Sequence, residues 1–549
     1  MLNTYSVLAS QCHRFLLLVL CMVALFPLDS ATGQAVYLPT SHEVYPYFKR
    51  MEARGLLKDF RDAALPFSRR QIAMFLQKLE AVTSQMTWVE RRRYEFLKSE
   101  FSYELGSLAG DADPTDLRWH LGSFPFTEGV INVDVMGQFG MKRWEDNQWQ
   151  IRSHGLRIYG SAFKNVGFYF SLLDFRESGE GINAAKTHTS DPGVVISRSP
   201  KDFMEYDVNE AQFTLQLGSF ELSLEKMHNV WGMGRRGSLI FSTKAPSYPQ
   251  LKLRVPLSDW MDFVYIHADL NSNVLDSSRS YQARSSSIVN FFRPVDRLKY
   301  MAAHQIEFTP FRGMDISIGE SVVYSDRGPL LIYLIPLMFF KAGEHYNRDT
   351  DNSQIFGSID LNLLRNLNVY LSLFIDEIRL EQFLGGGDFR NQTGFTAGFQ
   401  LYDLPVTNVE LLAEYSRVNP WVYSHKYPAA NFTSNGYDLG HWIGQNADLL
   451  YADVAYTPSR SVRVGAFYER YRKGGRGDVA FQYQLPSMDF LYGPLRIEKS
   501  VGAYAEIQLV RDGFLTAGLR SLDVNDEAYP PRSISGRVEY SLGLRYGLW

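Results

Sequence analysis

Gln212-Phe-Thr-Leu-Gln-Leu217 and Phe220-Glu-Leu-Ser-Leu-Glu225 are separated only by Gly218-Ser219. Side chains alternate between the two faces of a strand, so each segment has one apolar and one polar face, and the Gly-Ser pair joins them as a hairpin. The polar face carries Glu221 and Glu225. The same period of two recurs at Ile131–Phe139, Val369–Ile375, Thr393–Leu401, Val409–Tyr415, Val462–Tyr468, Val501–Leu509 and Val538–Leu548. From residue 130 onward, roughly 420 residues divide into about 18 strand-plus-connection units of about 23 residues, which suits an even-stranded antiparallel barrel. The pattern is least regular between 270 and 360.

Many alternating strands also build soluble sandwiches and propellers. Three features favour a transmembrane barrel, with its apolar face to lipid and its polar face to the lumen. The first is export. Arg14 precedes the apolar run Phe15–Leu28, and Asp29-Ser30-Ala31-Thr32-Gly33-Gln34-Ala35 follows, as in a cleaved secretory signal. Cleavage after Gly33 or after Ala35 fits equally, and 1–33 is assigned to the signal. The second is charge on faces in the middle of the pattern, such as Arg537 with Glu539. The third is an aromatic end, since the last strand runs from Arg537 to Trp549, as barrels read by the insertion machinery usually do. Here the apolar alternation falls on Tyr546 and Leu548 rather than on Trp549.

Composition agrees. The 549 residues are 45% hydrophobic and 14% aromatic, yet mean hydropathy is only −0.20, which disfavours a bundle of spanning helices. Fifty-six basic against 60 acidic residues give a net charge of −4, with no polybasic excess for nucleic acid. The two cysteines, Cys12 and Cys21, both leave with the signal, so no disulfide or thiolate chemistry is expected. The longest later apolar stretch, Pro329–Phe340, is too short and too Pro-interrupted for a helical span, and suits a strand pair or a loop packed in the lumen.

Residues 34–106 form an expected helical region. Thr40-x-x-Glu43, Ser68-x-x-Gln71 and Thr87-x-x-Glu90 each match a capping box, and Ile72, Leu76 and Leu79 follow at helical spacing. Residues 107–129, with Gly106–Asp116 rich in Gly, Asp and Pro, form a linker to a barrel at 130–549.

Candidate chemistry is sparse. Gly232-Met-Gly-Arg-Arg-Gly237 spells a dinucleotide fingerprint, but Ala245-Pro246 and renewed alternation follow where a helix is required. A glycine-rich turn presenting Trp231, Arg235 and Arg236 is the better account. Glu344 and His345, with Asp349 and Asp351, suit ion or sugar contacts, although a polar loop explains them more simply. Trp421, His441 and Trp442 lie in a stretch able to stack on sugar rings; an interfacial aromatic girdle is the default. No zinc-protease H-E-x-x-H or G-x-S-x-G nucleophile elbow is present, and no metal, cofactor or enzymatic role is expected.

The order of the motifs resembles the Wzi-like capsule-assembly family of outer-membrane proteins. The resemblance runs through Tyr45-Pro-Tyr-Phe-Lys-Arg50, Pro66-Phe-Ser-Arg69, Trp231–Gly237 with Ala245-Pro246, and Gly319-Glu-Ser321. It continues through Glu344-His-Tyr-Asn347 with Asp351-Asn352, Asp376-Glu377, Val418-Asn-Pro-Trp421 and Gly440-His-Trp-Ile-Gly444. It implies a barrel of about 18 strands with a small periplasmic helical part, and a non-enzymatic lectin retaining capsular or extracellular polysaccharide. The partners it implies are that polymer, outer-membrane lipid and the barrel-insertion machinery. A porin or uptake channel is the alternative, and an outer-membrane lipase a third.

Overall fold

The computed structural model describes residues 35–548 apart from 112–114, 164, 285–289, 378–391, 478 and 483–487. The expected signal and Trp549 lie outside the described residues. Eighteen long strands form the barrel. They are β1 Gly129–Trp144, β2 Asn147–Ala162, β3 Val166–Gly179, β4 Phe203–Leu217, β5 Phe220–Met227 and β6 Tyr248–Ser258. Then follow β7 Met261–Leu275, β8 Asp296–Phe311, β9 Met314–Ser325, β10 Asn352–Leu364, β11 Leu367–Glu377 and β12 Gln392–Tyr402. The last six are β13 Val409–Val418, β14 Ala447–Ser459, β15 Val462–Lys473, β16 Arg496–Val510, β17 Gly513–Asp526 and β18 Ile534–Tyr546. Neighbours pair antiparallel, and β18 returns to β1 from Tyr540↔Arg143 to Tyr546↔Gly137, closing the ring. Two short strands, Gly122–Phe126 and Ile196–Arg198, add to β1 and β4 on one side only. The expected linker is therefore partly strand.

The opening hairpin forms in register. Leu217 pairs with Phe220 across Gly218, whose φ of +60° is the conformation a two-residue turn needs and glycine adopts freely. Its apolar face points outward, with Leu224 exposed, while Glu221, Ser223 and Glu225 are buried inward. Glu225 there meets Lys252 of β6 at 2.6 Å. The last strand behaves alike: Tyr540, Leu542 and Leu544 are exposed, and Glu539 is buried.

Among the described residues four α-helices precede the barrel: α1 Val44–Ala53, α2 Arg69–Glu80, α3 Trp88–Glu100 and α4 Ser102–Leu108. Ser68 and Thr87 form full capping boxes with Gln71 and Glu90. Thr40 does not. The first helix begins after Glu43, and the His42 ring accepts the Val44 N–H at 3.2 Å, taking the role expected of the threonine. Phe48 packs edge-on against Phe60 and Phe75 at 5.4 and 5.6 Å to make a small aromatic core.

This region is seated in the barrel mouth at the end with the short turns. Ser68 Oγ donates to Glu221 at 2.7 Å, and the Ala63 N–H to Glu307 at 3.0 Å, both inward-facing wall carboxylates. Lys49, 1% exposed, places Nζ 2.6 Å from Asp360 of β10, 2.9 Å from Asp62 and 3.1 Å from Glu52. From the other end, the 228–247 connection descends until Val230 and Trp231 pair with Leu65 and Ala64. The 419–446 connection fills the space beside it, with Phe432 stacked on Phe241 at 5.7 Å and tilted against Phe374 of β11 at 5.2 Å. The centre of the lumen is thus an apolar core.

Lys49→Ala would leave carboxylates buried without their cation, a change that costs about 3–5 kcal/mol. The N-terminal region should then become protease-sensitive at a denaturant concentration the wild-type protein resists; an unchanged cleavage midpoint would contradict this seating.

Candidate functional site

The inward connections leave an unfilled space against the β1–β8 side of the wall. This cavity has a volume of about 1170 Å³. At its heart Glu177 of β3 is fully buried and accepts hydrogen bonds from Tyr206 Oη at 2.8 Å and Trp149 Nε1 at 3.2 Å. Lys186 Nζ contacts the same carboxylate. Phe175 and Tyr206 stack parallel at 5.0 Å beside it. A flat aromatic wall with a fixed carboxylate and ammonium is chemistry that recognises the apolar face and the hydroxyls of a sugar ring.

The cavity also reaches through the wall. β5 and β6 have 8 and 11 residues, whereas the flanking β4 and β7 have 15 each. Above the short pair, residues 207–210 of β4 and 269–273 of β7 pair with no intervening strand among the described residues. Asp207, Asn209, Lys226 and Asp269 project to the outer side of the wall, yet they line the cavity. The notch rim is polar. His228 bridges Glu210 at 3.0 Å and the Ala245 carbonyl at 3.2 Å at its lower edge.

A second cluster lies behind the 180–202 connection. Arg236 contacts Glu469 of β15 and donates to Ser190 Oγ at 3.0 Å. Its guanidinium lies 5.8 Å from the Trp442 ring and 5.3 Å from that of Tyr451. Trp442 Nε1 donates to the Arg236 carbonyl at 2.8 Å, and its ring packs on Tyr471 at 5.4 Å. His188 completes the group, 3.2 Å from Tyr471 Oη. Arg236 is about one-third exposed, with a side-chain accessibility of 32%.

The glycine motif has a geometric explanation. A Cβ on Gly237 would lie 2.7 Å from the His441 ring, so the turn closes on that histidine only without a side chain. The Arg235 and Arg236 N–H groups, the donors a phosphate would use, point at Glu414 of β13 at 2.5 and 2.9 Å. The turn already holds an anion, the protein's own carboxylate.

The eight residues singled out by sequence fall in five places. Arg236, His441 and Trp442 come together, and Arg235 lies deeper, 5.6 Å over Tyr370. Trp231 is fully enclosed, edge-on to Phe241 at 5.0 Å in the lumen core. Trp421, 5% exposed, stacks on Tyr492 at 5.6 Å. Trp421 and Trp442 therefore pack on Tyr492 and Tyr471 rather than standing in a membrane girdle. Glu344 and His345 sit elsewhere, in the short helix α5 Phe340–Tyr346 against the outer face of the barrel. Glu344 bonds Ser353, an outward-facing residue of β10. The Pro329–Phe340 stretch is accordingly neither a strand pair nor a lumen loop. It packs on the outside, where Tyr333 and Phe340 join Phe263, Tyr265, Ala302, Val322 and Tyr324 of the wall in one apolar cluster around the His304–Glu320 pair.

Sequence reasoning missed Trp149, Phe175, Glu177, Lys186, Tyr206 and Glu469. Alternation extended along β3 and β15 puts Phe175, Glu177 and Glu469 on inward faces; nothing local marks Lys186 or His188.

The fold is thus a closed outer-membrane-type barrel with a filled centre and a side cavity. The chain belongs to the capsule assembly protein Wzi family, whose model matches residues 165–512. A solved structure described as Wzi, an outer-membrane protein involved in group 1 capsule assembly in Escherichia coli and a carbohydrate-binding β-barrel, shares the fold. Its TM-score is 0.58 at 13% identity, covering 93% of this chain and 99% of that one. The Pseudomonas aeruginosa barrels OccK3 and OccD3 are more distant. They give TM-scores of 0.41 and 0.42 at 14% and 12% identity, over 76% and 82% of this chain and 95% and 98% of theirs. No protein with a curated functional description matches the sequence.

Burial holds the inner histidines neutral. His441 is pushed down to about 3 by enclosure and by Arg236, and His188 to about 4 by enclosure with Arg496 and Lys473 nearby. In the unfolded chain both would titrate near about 6.5. Folded values below unfolded ones mean full stability above that pH and progressive loss as pH falls toward about 4. Amide protection factors in 228–247 and 419–446, taken against the intrinsic rate at each pH, should therefore be lower at pH 4.5 than at 7.5. Equal protection factors would refute the neutral packing.

Proposed function

We propose that this protein binds capsular or extracellular polysaccharide at the outer surface of a Gram-negative cell and retains it there without chemical change. The observation that carries this reading is the filled lumen, blocked by the helical region from one end and by 228–247 and 419–446 from the other. A channel needs a continuous aqueous path. What remains here is a lateral cavity with aromatic and charged walls, large enough for several sugar rings. The E. coli relative, described as carbohydrate-binding, supports the same ligand class.

In this reading residues 1–33 direct export and are removed. The short turns and the N-terminal region face the periplasm, the usual orientation of such barrels. The long connections face outward, and the polar notch lets a polymer enter sideways as a chain, with no free end required. Trp149, Phe175, Glu177 and Tyr206 contact sugar in the cavity, and Arg236 with Trp442 forms a secondary contact.

The test is a glycan-binding assay with the purified barrel and the surface polymers of the producing cell. Glu177→Gln and Trp149→Ala should each weaken binding roughly 10–100-fold, the scale of one lost hydrogen bond to a charged group. In cells, deletion should leave polymer synthesis intact and shift polymer to the medium; unchanged cell-associated polymer would overturn the proposal. Planar-bilayer recordings separate it from a porin, since this barrel should be almost silent and regular open-channel steps would favour transport.

A further inference from the structure

The 326–351 connection lies on the outside of the barrel. Wall residues alternate, and on β7, β8 and β9 the inward set (Val264, Ile266, Met301, Ala303, Val323) belongs to the lumen core. The opposite set (Phe263, Tyr265, Ala302, Val322, Tyr324) packs instead against Tyr333 and Phe340 of this connection. The parity is that of Ile318, an outward residue of β9 that is 57% exposed.

The wall beneath breaks the rule for a lipid face. His304 and Glu320 point outward as a cross-strand pair, 3.2 Å apart. Glu320 is six residues above the Met314 turn, about 15 Å up a tilted strand and so within an apolar band about 25 Å tall. Paired polar groups there are expensive to leave in hydrocarbon. The connection covers them. Phe340 lies 4.6 Å from the His304 ring and donates its N–H to Glu320 at 2.8 Å. Tyr265 Oη donates to the Tyr333 carbonyl at 2.7 Å, and Leu330 N–H donates to Tyr324 Oη at 3.2 Å. The wall's outward polar groups thus satisfy the backbone of a segment that is not a strand.

The other side of the segment is apolar and uncovered. Leu331, Ile335, Leu337 and Phe339 are exposed, Leu337 by 77%. Residues nearer the return to β10 are polar or amphipathic: Tyr346 is 84% exposed, and His345 lies 3.8 Å from Asp349. Apolar side chains at depth with a tyrosine and charges above them match the vertical ordering of a bilayer leaflet.

We infer that 326–351 is a membrane-embedded strap, which dips along the outer wall so that Leu331, Ile335, Leu337 and Phe339 contact the acyl chains of the outer leaflet. It keeps the outward His304–Glu320 pair away from hydrocarbon. It also anchors one side of the barrel independently of any glycan.

Spin labels test this in the mature protein, residues 34–549, reconstituted in phospholipid vesicles, because both native cysteines fall in the expected signal segment 1–33. Labels at Leu337→Cys and Ile335→Cys should collide readily with oxygen and lose collisions with a water-soluble nickel chelate, like a label at Val538→Cys on lipid-facing β18. A label at Tyr346→Cys should be shallower and regain chelate collisions. Chelate access at 335 and 337 equal to that at 346 would overturn the proposal, as would exclusion of both probes, which would mean a protein partner on this face. Glycan binding is not read by these labels, so their outcome is separate from that of the binding assay.

Discussion

Inside hydrocarbon, every backbone N–H and C=O must find a partner within the protein, and for a sheet only closure achieves this. The return of β18 to β1 is therefore the contact on which everything else depends. Closure divides each strand between two solvents. The outward face becomes apolar, while the inward face is free to carry Glu221, Glu307, Asp360 and Glu414. Those carboxylates are buried once the lumen is filled, and each then needs a donor. The filling segments bring them: Ser68 for Glu221, the Ala63 N–H for Glu307, Lys49 for Asp360, and two N–H groups of the glycine turn for Glu414. Wall and filling are complementary in charge, so the inner segments are held by specific pairing as well as by apolar packing.

The barrel was legible because its signal is local. A period of two, a Gly-Ser turn and the hydroxyls of two capping boxes act over a few residues, and each appears where the sequence places it. What the long connections do was not legible. Arg235 and Arg236 stand next to a visible glycine motif, but the carboxylate that explains it lies 179 residues from Arg235 along the chain. Glu177 and Tyr206 meet only because β3 and β4 pair, with Lys186 arriving from the connection between them. Tryptophans at 421 and 442 could belong to a girdle or to a lumen by composition alone. Only the direction in which their connection folds decides it.

The region of poorest alternation, between 270 and 360, is the most informative departure. Alternation predicts apolar residues at every outward site, yet β8 and β9 offer His304 and Glu320. Pro329–Phe340 lies over that pair and over the apolar residues around it as a covering layer. A stretch that looked like a strand pair from its own composition is thus the outer face of strands already formed. Its two prolines, Pro329 and Pro336, fit that role, since a segment bonded to wall side chains has no ladder for them to interrupt.

Two irregularities share one sector of the wall. The notch above β5 and β6 and the covered faces of β7 to β9 are adjacent, whereas β10 to β18 form a more regular lipid-facing surface. Shortening two strands leaves backbone edges on β4 and β7, which are tolerable only where water or polar side chains reach them. Lys226 Nζ caps the Asn209 carbonyl at 2.7 Å, and Ser434 Oγ accepts the Asn271 N–H at 3.3 Å, so the edges are partly satisfied by side chains. A polar rim suits the level of headgroups rather than that of acyl chains. A strap buried in lipid beside it would hold that rim at a constant height, and a cavity that opens sideways can receive a polymer only if its opening stays above the hydrocarbon. The same constraint that closes the barrel therefore sets where it can be left open.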